Sequence, residues 1–561
     1  MTNPRRVARS TPPNRSSGPR PLRGRGEGGV ALATVTLACV ILMTLAIASV
    51  SYALGSQTIS RRDQKWNGAL AAAEAGIDDY LFRLNQNSNY WKYSASLAPP
   101  DGNGAFTGWV NVPGAANPAS YRYTANSTSL GQNGTIVLTS TGNVGGVTRT
   151  VQTTLRRRAF IDYLYFTDYE VKDPAAYDTS AGDNYTPAQA QTSCALHYYE
   201  SRPSNCSQIN FISADNINGP LHSNDATYIC GTPHFNGDTS TSWVGASGKR
   251  WLANTSCSGN APVFATAGDP RYLPPLTMPP SNSSIKAETV QATGNNGGCL
   301  FTGPTSIVLN SNGTMTVNSP FSKSITNGCT KSGTQALPKN GVIYVQNVPS
   351  SASDVNYTNG CPYSNVKLPG QSTGRSHPLG YPIDNDVTTY GCRNGDVFLE
   401  GTLKGQLTIA SENNIDVVWH VGYQSGVAGT DMLGLVANNY VEVYHPVNSS
   451  GTNLYAKVSP NRIFTTPLIS AALLSVNHSF RVQNYNKGGN SPSMGPLTIT
   501  GAIAQRYRGT VGTNSGGTIS NGYAKAYNYD TRLRYMAPPK FLDPVASAWG
   551  VATWSEIEPA Y

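Results

Sequence analysis

Residues 30–60 carry no charged side chain, and no proline interrupts the chain from 30 to 86. The apolar part, 30–54, exceeds at about 1.5 Å per helical residue the roughly 30 Å of bilayer hydrocarbon. Ahead of it stand Arg5, Arg6, Arg9, Arg15, Arg20, Arg23 and Arg25 against the single acid Glu27. The positive-inside bias therefore predicts a single-pass cell-membrane segment with a cytosolic N-terminus and the C-terminal bulk outside.

That basic tail accounts for most of the net charge of +9, leaving only +3 for residues 30–561. A body so close to neutral lacks the electrostatic footprint of phosphate binding, so nucleic acid is not an expected partner. Cysteine usage points to the same compartment. Cys39 lies in the apolar span, while Cys194, Cys206, Cys230, Cys257, Cys299, Cys329, Cys361 and Cys392 form an even set of eight in the exported part, with no CxxC pair. The set is expected to be disulfide-bonded rather than metal-binding. Order along the chain suggests nearest-neighbour pairing: 194 with 206, 230 with 257, 299 with 329 and 361 with 392.

Beyond the span, Ile59, Trp66, Leu70, Ala73, Ile77, Leu81 and Leu84 recur at helical spacing, with Arg61, Arg62, Asp63, Lys65, Glu74, Asp78, Asp79 and Arg83 between them. One continuous helix is predicted, apolar all round in its first half and two-faced in its second. The run GEGGVALATV from Gly26, the apolar stretch and WNGALAAAEAGIDD at 66–79 resemble the N-terminal region of PilX-type minor pilins of type IV pilus systems. The resemblance implies removal of the leader by a prepilin peptidase between Gly29 and Val30, with Gly28 and Gly26 as other cleavage positions. It also implies assembly with other pilin subunits through the helix. Counted from Val30, the fifth mature residue is Thr34, where major pilins carry Glu. That departure favours a minor or initiating subunit. A plain single-pass anchor and a secretory signal cut after Ala46-Ile47-Ala48 are the competing readings.

From residue 87 the chain turns rich in Asn, Ser, Thr, Gly and Tyr, with short apolar runs broken by Gly or Pro. Such a pattern predicts an all-β body. Runs 134–141 and 147–155 read as a hairpin about 142–146, completing a small pilin-like β unit over 87–158. The runs VFLEG, LKGQLTIA, NNIDVVWHV, LGLVA and YVEVY between 395 and 444, with Asn413, Asn414, Asn438 and Asn439 at corners, suggest rungs of a right-handed parallel β-helix, with a β-sandwich as the alternative. Residues 160–543 resemble the uncharacterised exported domains fused behind PilX-type helices. The expected organisation is a basic leader 1–29, helix 30–86, β unit 87–158, solenoid-like domain 159–545 and tail 546–561, an α+β chain overall.

Catalytic signals are weak. Asp215 with Asp225, or Asp384, Asp386 and Asp396, could supply paired carboxylates, but each stands in a turn-like context where Asx capping is the commoner use. His222 and His234 bracket Cys230 without a metal-ligand spacing, and HExxH and GxxxxGK[ST] motifs are absent. The expectation is a non-enzyme needing neither cofactor nor metal, and structural or adhesive in role. The tyrosine groups Tyr163, Tyr165, Tyr169, Tyr198, Tyr199 and Tyr485, Tyr507, Tyr523, Tyr527, Tyr529, Tyr535 offer surfaces for a glycan or protein receptor. The competing function is a membrane-tethered β-helix that binds or degrades wall or host polysaccharide.

Overall fold

The structure is a computed structural model; it describes residues 28–561 apart from 88, 116–117, 131–133, 267–269, 360–378, 380, 382–392, 449, 459–460, 490–493, 516–517 and 546–548. Helix α1, Gly28–Gln86, runs unbroken for 59 residues, about 88 Å at the standard rise. Its lower half buries Ala69, Ala72, Ala73, Ile77, Tyr80 and Leu84, while Leu70 and Leu81 are half-buried and Ile59 and Trp66 are exposed. The inward stripe therefore lies towards the alanines rather than along every apolar position of the sequence pattern. Close approach is the reason: a Cβ on Gly142 would lie 2.1 Å from the Ala69 carbonyl oxygen, and one on Gly76 would lie 2.3 Å from Ser140 Oγ. Only small residues let helix and strand meet so closely.

The strand beneath is β3. Four strands, β1 (Val110–Asn111), β2 (Ala119–Asn126), β3 (Thr135–Val144) and β4 (Val147–Arg157), form an antiparallel sheet. β3 and β4 join at Gly145-Gly146, both at positive φ (57° and 83°), as a two-residue hairpin turn requires. The expected hairpin is present, with its turn confined to those two glycines. Tyr80 anchors the core between helix and sheet, edge-on to Tyr90 at 5.6 Å and Tyr123 at 5.4 Å. A polar network caps it: Asp79 accepts from Arg83 Nε at 3.0 Å and from the Tyr123 hydroxyl at 2.9 Å, and Arg83 also pairs with Asp101 at 2.6 Å.

Residues 546–561 are read from sequence as a tail, but their described part is not one. Trp549–Ile557 is the fifth strand of this sheet, antiparallel to β4 with Trp549 opposite Arg157. Trp549 is buried in the helix–sheet core, and Asn85 near the end of α1 grips its backbone, donating to the carbonyl at 3.3 Å and accepting from the amide at 2.6 Å. The large body is thus an insertion between the fourth and fifth strands of the helix-bearing sheet.

Within the body, mainly β throughout, strands pair in parallel in long rows. One row runs Cys299–Thr302, Val342–Gln346, Gln406–Ser411, Met432–Ala437, Leu468–Ser475, Pro496–Arg508, Tyr165–Lys172, Leu221–Ser223, Thr239–Thr241 and Arg271–Tyr272. Another runs Thr305–Asn310, Val397–Leu403, Ile415–Tyr423, Val441–Val443 and Phe480–Val482. The later strands therefore join the earlier ones at a seam where Pro496–Arg508 pairs in parallel with Tyr165–Lys172. Alternation along the first row sends Ile343, Ile409, Leu435, Leu473 and Ile503 into the main core. Tyr344, Ala410, Val436, Leu474 and Ala504 face the other way and are covered by Leu276, Met278 and Ile285 of the crossing segment 273–298.

Asparagine side chains bond between parallel-paired segments, Asn439 Nδ2 donating to Asn413 Oδ1 at 2.6 Å. A ladder of such bonds, Asn236 to Asn218 to Asn528, crosses the seam at 2.8 and 3.1 Å. The corner asparagines do not use left-handed backbone, since none of 413, 414, 438 or 439 has positive φ. They act through side-chain bonds instead.

Candidate membrane and assembly interface

The upper half of α1 has the length and composition to cross a membrane, and it is bare. Leu32 is 71% exposed, Leu42 66% and Tyr52 81%, with Val35, Leu37, Ile41, Met43, Leu45 and Ile47 exposed around the helix. Apolar surface on this scale marks an interaction site. Several of its hydroxyls are turned inward on the backbone: Thr34 donates to the Ala31 carbonyl at 3.0 Å, Thr44 to Ile41 at 2.8 Å, Ser49 to Ala46 at 2.8 Å and Thr58 to Leu54 at 2.9 Å. Self-satisfied polar groups suit a surface that water does not reach. Thr34 is thereby a neutral side chain bonded to its own helix. Gly29 and Val30 lie in the first turn of α1. Cys39 is a free, exposed thiol.

Where the helix meets the sheet, charge returns. Arg149 lies over the Trp66 ring at 4.8 Å and grips Glu556 with two bonds of 2.6 Å. The bond to Glu556 leads in holding the Arg149 pKa up and the Glu556 pKa down. The apolar face of β4 is thus covered where Arg149 interrupts it.

Disulfides join Cys194–Cys206, Cys230–Cys257 and Cys299–Cys329, neighbours in chain order. The expected Cys361–Cys392 bridge, and Asp384 and Asp386, lie outside the described residues.

The other candidate residues are dispersed. Asp225 is buried and held by Arg202 and by the amides of Glu170 at 2.9 Å and Tyr198 at 2.7 Å. Asp215 caps the Ile212 amide at 3.1 Å and pairs with Lys525 at 2.9 Å. Asp396 accepts from the Asn414 amide at 3.2 Å, a turn-capping use. His222 sits in the row of Leu221–Ser223, its Nδ1 3.0 Å from Ser240 Oγ, whereas His234 is exposed on the strand beside Asn216–Asn218. Burial pushes the His222 pKa down to about 4. Among the described residues no cluster of His, Cys, Asp and Glu could hold a metal ion.

Sequence reasoning missed two arrangements that need the stacking. Asp416, Glu442 and Arg481 occupy one register on successive parallel strands, Arg481 Nε reaching Glu442 at 2.7 Å. Burial, then the charge of Glu442, raises the Asp416 pKa well above the carboxylate range. His197 is held by Asp168 at 3.2 Å and Glu200 at 2.9 Å and stacked between Tyr169 and Tyr199. Of the two tyrosine groups, Tyr163, Tyr165, Tyr507, Tyr523 and Tyr527 are core residues, and Tyr198, Tyr199 and Tyr535 are exposed.

No protein-family model and no curated protein matches the chain. Among solved structures, the competence-associated pilin ComZ from Thermus thermophilus is similar over 88% of this chain and 97% of its own, at 14% identity and a TM-score of 0.24. At that score the two molecules do not superimpose as wholes.

Proposed function

We propose that the chain is a minor subunit of a type IV pilus or a related filament, processed between Gly29 and Val30, that displays its body outside the cell. The observation that carries this reading is α1 itself, one unbroken rod whose first half is bare and apolar and whose second half is seated on an antiparallel sheet. A plain anchor needs no seated half. Neighbouring subunits or lipid would cover the bare half, and Thr34 in place of an acid fits a tip or initiating position rather than the shaft. The body is, on this reading, a right-handed parallel β-helix, a form supported by the parallel rows and asparagine ladders, with an adhesive role towards a surface glycan or protein.

The reading assigns no catalysis to the body. The Asp416–Glu442 pair could serve a polysaccharide-acting enzyme, but both residues are buried and Arg481 neutralises the pair. Deleting residues 30–60 is expected to abolish co-purification with surface filaments. Filament association without those residues, or glycan turnover by the purified chain, would overturn the proposal.

A further inference from the structure

A cavity of about 700 Å³, within the range of small-molecule sites, opens beside the seam of the body, between residues 208–215 on one side and 495–496, 509–513 and 522–525 on the other. Its walls include Ile209, Pro496, Val511 and Tyr485, and Lys525 and Asp215 line it together. Lys525 shares the inward side of its strand with Tyr527, a core residue. A lysine there is a costly choice that a buried ion pair does not repay in stability.

The pair is built to offer a donor and an acceptor side by side. Lys525 Nζ stands 2.9 and 3.1 Å from the two oxygens of Asp215, which leaves its third N–H without a protein acceptor among the described residues. Asp215 Oδ2 also takes the Ile212 amide at 3.1 Å, and its Oδ1 keeps a lone pair free. Behind them Arg508 is matched by Glu170 at 2.8 Å, so the four charges sum to zero. An anion would meet Asp215 and a cation would meet Lys525. A neutral ligand with two adjacent hydroxyls satisfies both through charge-assisted bonds, while its C–H face lies on the apolar wall.

We propose that this cavity binds a neutral saccharide through a vicinal diol, one hydroxyl accepting from Lys525 and the other donating to Asp215. The inference rests on the adhesive reading above and names its site and ligand class. The test is titration calorimetry on the full chain in a detergent without a sugar head group. The neutral probes are methyl α-mannoside, maltose and diacetylchitobiose, with galacturonate as the anionic arm. At least one neutral probe is expected to bind, with Lys525→Met and Asp215→Asn each weakening it tenfold or more. Ala214 is exposed at the rim, so Ala214→Trp should abolish binding without changing the melting temperature. Silence from all neutral probes, binding of galacturonate alone, or full binding by Ala214→Trp would each refute the site. Filament association, measured separately, fails or holds independently of these outcomes, so loss of the site and loss of the pilin reading are distinguishable.

Discussion

The two halves of α1 belong to one unbroken helix and live in opposite surroundings. The upper half, the more apolar, is the exposed one; the lower half, carrying Arg61, Arg62, Asp63, Lys65, Glu74, Asp78 and Asp79, is the one that packs within the chain. Hydropathy alone would assign the burial the other way round. What decides it is the partner: the lower half is shaped by alanines and Gly76 to lie against β3, whereas the upper half has large side chains on every side and, among the described residues, no strand to receive them. A surface apolar all round calls for an apolar medium or several neighbours.

Substitutions can break that contrast. Tyr80→Ala should destabilise the helix–sheet unit by about 3–5 kcal/mol, because it empties the centre of a closed aromatic cluster; denaturant unfolding followed by Trp549 fluorescence checks it. A smaller effect, located in the body, depends on acid. His222 has a folded pKa below the ordinary value, so its contribution is present above about pH 6.5 and is lost as pH falls towards 4. That loss amounts to about 3 kcal/mol, and His222→Phe should flatten the body's melting temperature over this range while leaving the helix–sheet unit unaffected. Gly142→Ala comes next: its methyl group would collide with the Ala69 carbonyl, and prising α1 from β3 should cost about 1–3 kcal/mol. Smallest of all, Leu42→Ala in the upper half should leave unfolding of the chain within about 0.5 kcal/mol of the parent. A large effect from Leu42→Ala on the isolated chain would mean that the bare half has a partner within its own molecule.

Sequence periodicity sufficed for the unbroken helix and for the hairpin at Gly145-Gly146, because both are encoded by residues close together in the chain. Chain order also suggested the three cysteine pairs seen, whose partners are 12, 27 and 30 residues apart. What stayed illegible is non-local. The pairing of Trp549–Ile557 with β4 spans some four hundred residues, and an alternating run at the end of a chain does not announce which sheet it will join. Lys525 and Asp215 are 310 residues apart and converge only because late strands pair in parallel with early ones. The tyrosines misled for a different reason: an abundant amphipathic side chain can line a core or a surface, and only packing separates Tyr527 from Tyr199.

The first residue of the protein taken from the cell surface tests the account most directly. Val30 is the predicted result, leaving α1 unbroken from Val30 onward with its bare half at the new N-terminus. A chain beginning at Ser49 would have discarded the membrane-crossing half, and the pilin account would be contradicted.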